Sequence, residues 1–77
     1  MKYLIVARGA SGLAVYVTGE PWLAGTYDLA LGARYDTAAD AESIMRIMGI
    51  IRHGTWHVVN DAEELVAFLL GCGSNSP

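Results

Sequence analysis

His53 and His57 lie four residues apart with Trp56 between them, and two imidazoles at that spacing can hold a metal ion from one face of a helix. The stretch around them contains Gly54 and is rich in β-formers, so it reads as a turn and a strand. No third ligand follows at a recognisable spacing; Asp61 or Cys72 could join only through the fold. Ser11, His57 and Asp61 supply the residue types of a hydrolytic triad, but no nucleophile-elbow motif surrounds Ser11. Arg8-Gly9-Ala10-Ser11-Gly12 has the composition of a phosphate loop. Such loops lead into a helix whose N-terminus meets the anion, whereas here a strand follows, so the run reads as a hairpin turn. Asp36 with Asp40, or Glu63 with Glu64, could form an acid/base pair. Both pairs sit where helices start, and capping and the helix dipole favour carboxylates there. Cys72 follows Gly71 at a helix C-terminus, the end that disfavours a thiolate. No catalytic residue, metal ligand or cofactor-binding group is expected.

Adhesive chemistry is better represented. Trp22, Tyr27, Tyr35 and Trp56 combine large apolar area with a polar handle, as anchors of protein interfaces do. Tyr35 and Trp56 read as core. Trp22 and Tyr27 fall in a loop region, where Trp22 serves either as a surface anchor or as a plug at the end of the layers. Glu20, Asp28 and Asp36 fall near one end of the expected strands and form a modest acidic patch that suits a basic partner site.

Positioning these residues needs a sheet and two helices. Residues 2–8 form a strand that is apolar on both faces at its middle, hence central in its sheet. Residues 13–18 form a second strand across the turn at 9–12. Residues 19–25 are a loop. Residues 26–32 are either a strand extension or one helical turn through Leu29, Ala30 and Leu31 capped by Asp28. Residues 33–36 read as a short third strand. Thr37 caps a helix over 38–48, with Asp40 in its first turn and Ala41, Ile44, Met45 and Met48 as one apolar stripe. Gly49 is expected to stop it, and Ile50 and Ile51 to pack back on it. A strand over 55–59 leads to a second helix with Asp61 and Glu64 as its capping box. Leu65, Phe68 and Leu69 form the apolar face of that helix, and Gly71 ends it.

The order β-β-β-α-β-α implies an α+β, two-layer domain over residues 1–71, followed by a small polar tail at 72–77. Its sheet is mostly antiparallel, with three to four strands and both helices on one face. The other face is then open, and alternation allows Tyr3, Ile5, Ala14 and Tyr16 to share it. The residues expected to bind a partner are Tyr3, Tyr16, Glu20, Trp22, Tyr27, Asp28 and Asp36.

Composition agrees with a binding role. Apolar residues make up 53% of the 77, and Cys72 is the only cysteine, so no disulfide staples the core. Apolar area beyond what so small an interior can hide implies a protein partner or a homodimer. A net charge of −3 argues against direct nucleic-acid binding, which needs a basic stripe. The apolar run at residues 3–7 is too short for a signal sequence and is interrupted by Arg8; no segment reaches the ~20 apolar residues that span a bilayer. No membrane role is expected, and the lone thiol suits a reducing cytoplasm.

The run Ala33-Arg34-Tyr35-Asp36-Thr37, then Ala41-Glu42, then a helix reaching Gly49, resembles a module of very short bacteriophage and mobile-element proteins. Phage-encoded anti-CRISPR proteins are among them. The resemblance spans residues 33–59 and transfers no functional residue. It implies a non-enzymatic inhibitor that occludes a CRISPR-Cas effector subunit in a host cytoplasm. The alternative is a small homo-oligomeric, antitoxin-like accessory domain.

Overall fold

The computed structural model of the chain describes residues 1–9, 12–19, 24–51 and 55–71. Strand β1 (Tyr3–Arg8) lies at the middle of the sheet. Its successive residues Leu4, Ile5, Val6 and Ala7 are all buried, as an apolar run without alternation requires. Strand β2 (Ala14–Val17) pairs antiparallel on one side of it, and β3 (Gly25–Thr26) pairs antiparallel with β2. On the other side lies β4 (His57–Asn60), also antiparallel. The order β3-β2-β1-β4, together with helices α1 (Ala38–Ile51) and α2 (Glu63–Leu70), makes an α+β fold.

The register sorts the core into two clusters. Val6 is opposite Tyr16 and Leu4 is opposite Val59, so these four share one face. They pack with Leu65 of α2, and Leu29, Phe68 and Leu69 close around them. Ile5 points the other way. It packs with Val17 and with Ala41 and Met48 of α1, surrounded by Tyr3, Tyr35, Ile44, Met45, Trp56 and Val58. The helices therefore cover opposite faces of the sheet, which corrects the expectation that both lie on one face. A strand apolar on consecutive residues has no face it can leave in water, so each face takes its own helix. The shared open face of Tyr3, Ile5, Ala14 and Tyr16 fails for the same reason. Ala14 and Tyr16 pair with Arg8 and Val6, on the side opposite Tyr3 and Ile5, and both sides are covered.

Two local expectations also change, and a third, left open, is decided. Residues 33–36 form a single bridge rather than a strand. Tyr3 and Tyr35 exchange both backbone hydrogen bonds at 2.8 Å, and the Ala33 N–H donates to the Val17 carbonyl. At this point Thr18 has turned from β1 to donate to Ala24, and the 33–35 segment takes the vacated place beside β1. The third strand is instead Gly25–Thr26, where a Cβ on Gly25 would lie 2.8 Å from Val15 Cγ1, so only glycine fits so close an approach. Second, α1 begins as expected, with Thr37 Oγ1 accepting the Asp40 N–H at 3.1 Å, but it runs through Gly49 to Ile51. Glycine inside a helix costs only about 1 kcal/mol, and the buried stripe from Ala41 to Met48 outweighs it. Third, residues 26–32 divide: Thr26 ends the third strand, and Asp28 Oδ1 accepts the Ala30 N–H at 2.9 Å over a 3-10 turn at Leu29–Leu31.

The cap of α2 is moved by one residue. Asn60 Oδ1 accepts from the N–H groups of Ala62 (3.1 Å) and Glu64 (3.0 Å), while Glu64 Oε1 accepts the Asn60 N–H at 2.8 Å. This is the reciprocal logic of a capping box, built from the last residue of β4 rather than from Asp61, which is exposed. Asn60→Ala should cost about 1 kcal/mol of unfolding free energy in urea titration, and Asp61→Ala less than about 0.5 kcal/mol. Equal losses at the two positions would contradict this assignment.

Candidate protein-binding groove

Helix α2 has eight residues against the fourteen of α1, and it leaves part of its face uncovered. A groove of about 240 Å³ opens between α2 and the β2 side of the sheet. Ala14 and Tyr16 form its floor, Leu69 of α2 one wall, and Leu13 and Tyr27 the other. Leu13 is 52% exposed and Tyr27 64%, large values for apolar and aromatic side chains around a concavity.

The turn before β2 holds this wall. The Gly9 N–H donates to the Leu13 carbonyl at 2.8 Å and the Gly12 N–H to the Gly9 carbonyl at 2.9 Å. Gly12 has φ +86°, a conformation natural to glycine. The Tyr27 hydroxyl comes within 3.6 Å of where a Cβ on Gly9 would sit, so the ring lies across the turn. Behind Tyr27, the Asp28 cap and Arg34 fix the 3-10 turn; Arg34 Nη1 donates to the carbonyls of Leu29 (2.7 Å) and Gly32.

A second concavity of about 400 Å³ lies along the β4 flank of α2, lined by His57, Val59, Glu64, Ala67 and Phe68 among others. The His57 ring is tilted against Phe68 with centroids 6.1 Å apart, a contact that uses the imidazole as an aromatic surface. Among the described residues no group of three His, Cys, Asp or Glu side chains is placed to hold a metal, and no helix is long and apolar enough to cross a membrane.

The structure brings Tyr16 and Tyr27 into one groove, with Asp28 exposed at its margin and engaged as a cap. Tyr3 lies on the opposite face, half-buried against the α1 cluster. Asp36 is exposed and ion-paired with Lys2. Glu20 and Trp22, like Ser11, His53 and Cys72, lie outside the described residues. Leu13 and Leu69 were not singled out as binding residues. The available signal was the sequence of α2, Glu-Glu-Leu-Val-Ala-Phe-Leu-Leu, which is apolar on every side after its first turn. Comparison with protein-family models, curated proteins and solved structures finds no match.

The Lys2 ammonium hydrogen-bonds to Asp36 and holds its carboxyl below the ordinary carboxylate range, with the charge attraction adding in the same direction. A depressed folded-state pKa contributes stability above the unfolded value and loses it as pH falls through the folded one. The difference in melting temperature between the wild type and Asp36→Asn should therefore be small at neutral pH and shrink in acid and in high salt. A difference that grows as the pH falls would contradict the ion pair.

Proposed function

We propose that this chain is a non-enzymatic protein-binding domain that engages its partner through the groove at Leu13, Tyr16, Tyr27 and Leu69. The supporting observation is the exposure of Leu13 and Tyr27 around a preformed apolar concavity. A protein rarely leaves large apolar side chains grouped around a hollow unless something fills it. Tyr27 suits the task because its ring adds area with little rotamer entropy and its hydroxyl adds a hydrogen bond at the rim.

Function then follows from coverage. A domain of this size, seated by one apolar protrusion of its target in the groove, covers the surface around that protrusion and excludes other molecules from it. The resemblance of residues 33–59 to phage modules supports a finer reading: the target is a CRISPR-Cas effector subunit in the host cytoplasm, and the blocked event is DNA binding or cleavage. The net charge of −3 suits a basic target surface, such as one that itself receives nucleic acid.

Titration of the protein into a purified CRISPR-Cas effector should abolish DNA cleavage at one copy per complex. Tyr27→Ala and Leu13→Ala should each weaken inhibition by at least about tenfold, the scale of an interface anchor, while the melting temperature holds. Inhibition at far below one copy per complex, or full potency in both variants, would contradict occlusion through the groove.

A further inference from the structure

Helix α2 carries large apolar residues on its inward, flanking and outward sides. Leu65 is buried inward, and Phe68 and Leu69 close the core at its flanks. At about 100° per residue, Glu63, Val66, Ala67 and Leu70 fall on the outer half of the helix. Val66 is 55% exposed, Leu70 69%, and Ala67 is also exposed. A helix apolar all round is one that something covers on every side.

The charges around this outer face have a direction. Asp61, Glu63 and Glu64 are exposed at its N-terminal end. Arg8 reaches its C-terminal end, with Nη2 3.2 Å from where a Cβ on Gly71 would sit. Among the described residues the only ion pair is Lys2 with Asp36, so Glu63 and Arg8 are salt-bridged to no other described residue. Negative at one end, apolar in the middle and positive at the other, the face is complementary to itself turned end for end.

We propose that a second copy of this chain docks on that face, with the two α2 helices antiparallel about a two-fold axis near Ala67. Glu63 precedes Ala67 by four residues and Gly71 follows it by four, so the rotation sets Glu63 of each copy beside Gly71 and Arg8 of the other. Ala67 at the crossing lets the backbones approach closely, and Val66 and Leu70 interdigitate on either side. The antiparallel helix dipoles add a small attraction. The helix is about 12 Å long, so the contact is small and the dimer is a weak, reversible one. Leu69 lies about 160° round the helix from Ala67, away from the crossing, and this pairing does not depend on what the groove binds.

Sedimentation equilibrium of the full chain across micromolar to millimolar concentrations tests it. A monomer–dimer equilibrium is expected, abolished by Leu70→Glu. Glu63→Arg and Arg8→Glu should each weaken it severalfold, and the double variant, which restores opposite charges across the axis, should recover it. Circular dichroism of each variant should match the wild type, since all three positions are exposed. A monomer throughout the range, a dimer indifferent to Leu70→Glu, or a double variant no better than the singles would overturn the proposal.

Discussion

The fold depends on burying one strand from both sides. In β1, Leu4 and Val6 face one way and Ile5 the other, and all three are essentially inaccessible. Each such side chain contributes on the order of 2 kcal/mol when removed from water, and the gain requires cover on both faces of the sheet. A chain of 77 residues without a disulfide has few other sources of stability. It therefore places one helix on each face, and the element order follows from where those helices can reach.

The division of labour is uneven, and the surface properties arise from that. Helix α1 presents a regular stripe, with Ala41 and Met48 buried and Ile44 and Met45 packed beside them. Its outer side carries Glu42, Ser43 and Arg46, with Ile47 partly exposed beside them. Helix α2 is little more than two turns long, and the Leu29–Leu31 turn covers only part of what it leaves open. The remaining gap is the groove beneath Leu69 and Tyr27. An apolar hollow and an apolar outer helix face are thus on the same side of the molecule, while the α1 side has the ordinary appearance of a solvated surface. Both proposed binding surfaces therefore fall on the α2 side.

Much of the class was legible in the sequence, because it rests on local chemistry. The apolar run of β1, the Thr37 cap, the stripe of α1 and the Asp28 turn each follow from side chains within a few residues of one another. What was not legible depends on register. Whether Tyr16 shares a face with Tyr3 or with Leu4 turns on a one-residue offset between β1 and β2, and a shift of one residue moves every side chain to the other face. The helix placement fails for the same reason, since periodicity shows that a helix has an apolar stripe but not which sheet face receives it. The capping box moved because Asn60 and Asp61 are both good caps, and the end of β4 decides between them. Gly49 did not stop α1, because tertiary burial of Met48 outweighs glycine's weak preference. For the groove, Tyr16 and Tyr27 were recognisable as binding types, whereas Leu13 and Leu69 look like ordinary core residues until the short α2 leaves them at an edge.

Nuclear Overhauser contacts in solution test the two-sided burial of β1 most directly. Ile5 methyl protons should show contacts to Ala41 and Met48 and none to Leu65. Leu4 methyl protons should show contacts to Leu65 and none to Met48. Contacts from Leu4 or Ile5 to both helices would place α1 and α2 on one face and contradict the structure on which the groove and the outer helix face both rest.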